Sequence, residues 1–214
     1  MANVKGPRSY DSKLRKEQAR QTRARILDAA QNLFAEHGYA NTTVAAIAAA
    51  AGVAVDTVYA TFGNKAGVLH ALFDVRVGGD DAPLEVTERV GPQAVRRERS
   101  QKRQVAAFAE GVADILERSR PVDDIMRGAA AVDPDIAALR AEMHRGRYDN
   151  IRQFITWLAA NGPLRDNLST DDAASMVWAV ASPEVHGLLR VGRDWTPERY
   201  QKWLGMTLTR TLLV

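Results

Sequence analysis

The chain has 214 residues, enough for one or two domains with a sizeable buried core. Hydrophobic residues make up 46 % and charged residues 26 %, an ordinary mixture that argues against wholesale disorder or a fibrous repeat. Cysteine is absent, which excludes disulfides, thiolate nucleophiles and Cys-ligated metals, and the net charge is only +3.

That charge is unevenly spread. Residues 1–25 hold eight Lys and Arg against Asp11 and Glu17, whereas the remaining 189 hold 21 basic and 24 acidic side chains. A basic arm on a mildly acidic body points to a polyanion partner, nucleic acid foremost, set against the plainer reading of a solvated tail. Nothing in these first residues resembles the apolar core of a signal peptide. The longest apolar run, Val44 to Val55, falls short of the roughly 20 residues that span a bilayer. A soluble, cytoplasmic protein without a membrane partner is expected.

The predicted elements are all helical. From Arg23 to His37 the apolar residues Ile26, Ala30, Leu33 and Phe34 recur on one helical face, and Gly38 is the expected C-terminal cap. Thr42 or Thr43 caps a short helix from Val44 to Ala51, Gly52 supplies a turn, and a second short helix runs from about Val55 to Phe62. A fourth helix begins near Lys65 and ends at Gly78-Gly79. Residues 78–95, with Pro83, Gly91 and Pro92, read as a linker. Beyond it a long amphipathic helix reaches about Ser119, and Pro121 is expected to restart the chain for a short helix over 123–130. Asp133-Pro134 opens a helix to Ala160, and Ser169 with Asp172 resembles a capping box. The helix that follows is expected to run to about Gly192 with a kink at Pro183, and Thr196-Pro197 opens the last. The chain therefore divides into a basic arm (1–22), a helical domain (23–77), the linker (78–95) and a second helical domain (96–214).

Residues 43–65 are the most informative. Two helices of about eight residues joined at Gly52 form a helix-turn-helix. The run of alanines lets the helices cross closely, Gly52 can take the positive φ of a sharp turn, and Val44, Ile47, Val53 and Val58 supply a small core. The second helix then fits a major groove with its N-terminal residues at the base edges.

At Thr43, Ile47, Ala48, Ala51, Gly52, Val53, Thr57, Tyr59, Phe62, Lys65 and Leu69 the sequence resembles the TetR family of transcriptional regulators, and the likeness extends over residues 23–73. The resemblance implies an all-α fold, with an N-terminal three-helix helix-turn-helix DNA-binding domain and a C-terminal helical ligand-binding and dimerisation domain. It also implies the DNA contacts Thr43, Val55, Asp56, Thr57, Tyr59, Ala60 and Lys65, with Lys65 offering charge at a helix N-terminus to phosphate. Core packing is the competing role for Tyr59 and Phe62, favoured for Phe62; a merely solvated charge is the competing role for Lys65. Three positions depart from the family pattern. Ala54 stands where a capping hydroxyl is usual, Asp56 where Gly is usual, and Thr61 where His is usual. The Asp56 carboxylate repels phosphate but could accept from a cytosine N4 amine. Arg8 to Arg20 could reach an adjacent minor groove.

In the second domain the last two helices carry Met176, Val177, Val180, Leu188, Trp203, Leu204, Leu208 and Leu212, an apolar surface suited to a homodimer or else to the domain's own core. Candidate walls of a ligand pocket are Phe108, Met126, Met143, Tyr148, Phe154, Trp157 and Trp178, with plain core as the competing role. Arg96, Arg97, Arg99, Lys102 and Arg103 read as a solvated helix start. His37, His70, His144 and His186 are scattered, the Asp123-Asp124 and Asp171-Asp172 pairs fall at helix starts, and neither a phosphate loop nor a nucleophile elbow is present. No enzyme, metal or cofactor is expected. The sequence thus points to a dimeric regulator that binds a palindromic double-stranded operator and is released by a small-molecule effector. The alternative is a ligand-binding or scaffold protein of the same fold with weak DNA binding.

Overall fold

The structure is a computed structural model and describes residues 8–214. The part of the basic arm at residues 1–7, with Lys5, lies outside the described residues. The regular elements among them are α-helices and short 3-10 turns: α1 (Arg8–Asn41), α2 (Val44–Ala51), α3 (Val55–Phe62), α4 (Lys65–Gly78), α5 (Val90–Arg97), α6 (Gln101–Ala130), α7 (Pro134–Ala159), α8 (Thr170–Val180), α9 (Pro183–Arg190) and α10 (Pro197–Leu212). Among the described residues no single helix is long and apolar enough to cross a membrane. The chain divides into two compact units, Met1–Leu72 and Phe73–Val214.

In the first unit, residues 8–22, set apart by charge as an arm, are helical and continuous with the amphipathic stretch that follows. Gly38, at φ 76°, interrupts α1 in a conformation that a side chain would strain. Thr42 closes the freed end, its hydroxyl donating to the Leu33 and Gly38 carbonyls at 3.2 and 2.8 Å. α2 packs on α1 and α3, and Ile26, Ala30, Phe34, Ile47, Ala48, Val58, Val68, Leu69 and Leu72 are buried.

The second unit is a helical bundle in which α6 packs against α7 and α10, and α7 against α8. Its core includes Val105, Ala109, Leu116, Phe154, Ile155, Leu158, Val177, Tyr200, Leu204 and Leu208. Residues 78–95 fold around Arg89, whose guanidinium donates to the Gly78 and Ala82 carbonyls and to the Asp80 carboxylate at 2.9, 3.1 and 2.8 Å.

Three sequence expectations are corrected here. Pro121 does not restart the chain, because α6 runs through it to Ala130 with Pro121 exposed and Val122 and Met126 fully buried. Tertiary packing of the inner face outweighs the one backbone bond that proline removes. Pro183 does not kink a helix; it is the first residue of α9, and the Ser182 hydroxyl caps that helix by accepting from the Val185 amide at 3.1 Å. Val177, Leu204, Leu208 and Leu212 are buried within the single chain, because α10 packs on α6 and α8. On α8 to α10 the large apolar residues left exposed are Met176, Leu188, Val191 and Met206.

Candidate nucleic-acid interface

The helix-turn-helix owes its geometry to its caps. Thr43 accepts from the Ala46 amide at 3.1 Å and so starts α2. At the other end Gly52 sits in the left-handed region, φ 65° and ψ 42°, with its amide and that of Val53 returned to the last turn of α2. The chain thereby turns through 109° into α3, within the usual range for this motif. α3 starts at Ala54 with no side-chain cap, as the sequence implies, and only Val58 of its eight residues is buried.

That single anchor leaves the rest of α3 outward. Val55, Asp56 and Ala60 are exposed, Thr57 is half-buried, and Tyr59 is 49 % exposed. At 100° per residue, Asp56 and Ala60 lie opposite Val58, and Tyr59 and Val55 continue the exposed arc from them. The Thr61 hydroxyl turns back to the Thr57 carbonyl at 2.7 Å. Phe62 is half-buried under the Arg23 guanidinium, 4.7 Å from its ring centroid. Gly67 permits the close passage of α4 under the end of α3, since a Cβ there would lie 2.0 Å from the Phe62 carbonyl oxygen.

Lys65 is placed at the first turn of α4 as the sequence suggests, but its ammonium is engaged inward. It donates to the carbonyls of Tyr39 and Thr42 at 2.7 and 2.9 Å and lies 4.1 Å from the Tyr39 ring centroid. The structure thus brings Val55, Asp56, Thr57, Tyr59 and Ala60 together on α3 with Thr43 at the start of α2, and gives Lys65 a structural partner.

In the second unit the aromatic candidates fall into separate places. Phe108 stacks on Phe154, centroids 3.7 Å apart, and Met126 is fully buried on α6. Met143 is half-buried on α7. Tyr148 reaches the Asp171 carbonyl at 3.3 Å, and Trp157 faces Arg96 of α5. Trp178 carries the Arg147 guanidinium 4.7 Å from its ring centroid.

Sequence reasoning missed a polar core beside these aromatics. Arg140 bonds Asp123 at 3.2 and 3.1 Å and Glu184 at 2.9 Å, while buried His186 bonds Glu117 at 2.9 Å and packs edge-on to Tyr200. Burial holds the His186 pKa below its ordinary value despite the Glu117 carboxylate. Burial also pushes Arg147 down to about 10, still far above neutrality, and pushes the Tyr200 phenol up. A signal existed in the sequence, because Arg140 and Arg147 stand at helical spacing with Ile136, Ile151 and Phe154, on the face that turns inward.

The family model described as bacterial regulatory proteins, tetR family, matches residues 26–72. The HTH-type transcriptional regulator TtgR of Pseudomonas putida is 31 % identical over 178 residues, 82 % of this chain and 81 % of that protein. Among solved structures, NalD, the secondary repressor of the MexAB-OprM multidrug efflux pump in Pseudomonas aeruginosa, matches at TM-score 0.65 and 21 % identity, covering 92 % of this chain and 98 % of its own. FadR from Bacillus subtilis in complex with stearoyl-CoA matches at TM-score 0.66 and 20 % identity over 86 % of this chain and 96 % of that one. At those identities the two structures speak for the fold.

Proposed function

The chain belongs to the TetR family of bacterial transcriptional regulators, and from that premise we propose that it is a dimeric repressor released from a palindromic operator by a small-molecule effector. The observation that carries the DNA-reading part is the outward face of α3. A helix in which Val58 is the buried residue presents Val55, Asp56, Tyr59 and Ala60, and Tyr59 is large, polar-tipped and half exposed. Thr43 adds a hydroxyl at the start of α2, where a phosphate contact suits it. Residues 1–22 would add the sequence-independent attraction, and such a protein meets its DNA in the cytoplasm.

One recognition helix reads few bases, so a second copy doubles the site and imposes two-fold symmetry on the operator. Met176, Leu188, Val191 and Met206 supply exposed apolar surface on α8 to α10 for that copy. Release follows if an effector binds the second domain, residues 96–214, more tightly in the conformation that misplaces the recognition helices; its differential affinity then sets the loss of DNA binding. Among solved relatives, FadR is in complex with stearoyl-CoA and SmeT with triclosan, which supports an apolar or amphipathic effector here.

The test is selection of genomic fragments by the purified protein at near-physiological salt. Enrichment of an inverted repeat, lost in Tyr59→Ala, supports the regulator. A folded protein that enriches nothing would favour the second reading, a ligand-binding protein of this fold whose uncapped Ala54 and acidic Asp56 weaken its hold on DNA.

A further inference from the structure

α7 turns Ile136, Arg140, Arg147, Ile151 and Phe154 toward the interior of the second unit, so that two arginines interrupt an apolar face. They are treated differently. Arg140 is neutralised by two carboxylates, Asp123 and Glu184. Among the described residues Arg147 bonds no carboxylate. Its Nη1 donates to the carbonyls of Trp178 and Ala181 at 3.0 and 3.2 Å, closing the C-terminal end of α8. Its Nε and Nη2 are buried without a hydrogen-bond partner.

Those two nitrogens form one complete edge of the guanidinium fork, the edge that takes a carboxylate through two parallel bonds. A further buried donor beside Arg147 is also unpartnered among the described residues, the indole Nε1 of Trp178, whose ring lies under the guanidinium. Buried donors left unpaired are uncommon and costly. A group of donors with a positive charge at its centre is complementary to an anionic acceptor.

We infer that this part of the second unit receives the carboxylate of an amphipathic organic acid, held bidentately by Nε and Nη2 of Arg147. The apolar body of the acid lies against the hydrophobic core on which Trp178 packs. The inference rests on the reading of the protein as a ligand-released regulator, and it names the class of the effector.

The experiment titrates the full chain with 4-phenylbutyrate and decanoate, and with their uncharged amides, by calorimetry. Either acid should bind, with its amide weaker by about tenfold or more, as expected for loss of a charge-assisted pair. Arg147→Gln should weaken the acid about tenfold to hundredfold and leave the amide unchanged, with Arg147→Lys intermediate. Arg147→Lys, which keeps the charge and loses the fork, decides the matter together with the amides if Arg147→Gln fails to fold. Amides binding as tightly as acids, variants binding acids unchanged, or no acid binding at millimolar concentration would each overturn the inference and leave Arg147 as the hydrated cap of α8. DNA binding is read separately on the selected fragment. Intact DNA binding with no acid preference defeats this inference alone, whereas failure to select any fragment defeats the regulator reading and leaves the acid-to-amide ratio to judge the site.

Discussion

The ammonium of Lys65 lies 4.1 Å from the Tyr39 ring centroid and donates at 2.7 Å to the carbonyl of the same residue. A second bond at 2.9 Å reaches the Thr42 carbonyl. One cation therefore joins the start of α4 to the turn that ends α1 and begins α2, which fixes the base of the helix-turn-helix. Its family position suggests a phosphate contact, but the geometry makes it a bracket first. Lys65→Met should leave two carbonyls short of a donor and lower stability by about 1–3 kcal/mol. Thermal melting checks this, and a melting temperature equal to that of the unaltered protein would remove the bracket.

Tyr59 is the contrasting case. Half exposed on α3, it can be removed without disturbing packing, so Tyr59→Ala should change stability by less than about 0.5 kcal/mol. Operator affinity should fall about tenfold, read by fluorescence anisotropy at fixed salt. Unchanged affinity would take Tyr59 out of the interface.

Gly67→Ala tests the close passage of α4 beneath the end of α3. The added methyl meets the Phe62 carbonyl oxygen at 2.0 Å, backbone that cannot move without tilting α3. A loss of about 1–3 kcal/mol is expected, with weaker DNA binding. Gly111→Ala in α6 is the control, because beyond its own stretch of helix nothing among the described residues lies within 4 Å of the added methyl. It should stabilise by about 0.5–1 kcal/mol through helix propensity, and chemical denaturation of the two variants should give opposite signs.

Deletion of residues 1–20 removes six basic side chains against two acidic ones. If the segment lies along DNA, the slope of log affinity against log salt should become shallower by about 0.9 for each phosphate that the segment neutralises. Affinity measured across a salt series for both chains decides it, and parallel lines would mean that the segment does not touch DNA.

The polar core sets a pH dependence. Burial lowers the His186 pKa in the folded chain, and it lowers that of His144 too. The unfolded chain therefore binds more protons than the folded one in the window below about 6.5, so the stabilising effect of keeping these rings neutral is fully present above that pH and is lost as the pH falls below it. Melting temperature should drop from pH 7.5 to 5.5, and His186→Gln should flatten the drop. An equal slope in both proteins would show that His186 is not the group responsible.

Much of the helical framework was legible in the residues because the signals that end helices are local. Thr43 bonds an amide three residues on, Gly52 turns at its own φ, and Asp133 and Thr196 cap helices whose first residue is a proline. The motif at 43–65 and its family likeness belong to the same class of information, since side-chain type and spacing define them. What the sequence could not show depends on groups that meet only after the chain has folded. Lys65 reaches back across 26 residues to Tyr39, Arg140 reaches 44 residues on to Glu184, and Arg147 caps a helix that begins well beyond its own end. The passage of α6 through Pro121 and the inward turn of Leu204 and Leu208 were likewise decided by packing on neighbouring helices. Local hydrogen bonding sets where each helix begins and ends. Which of its charges is paired with a carboxylate, and which bonds only carbonyls, is set by the helices that close around it.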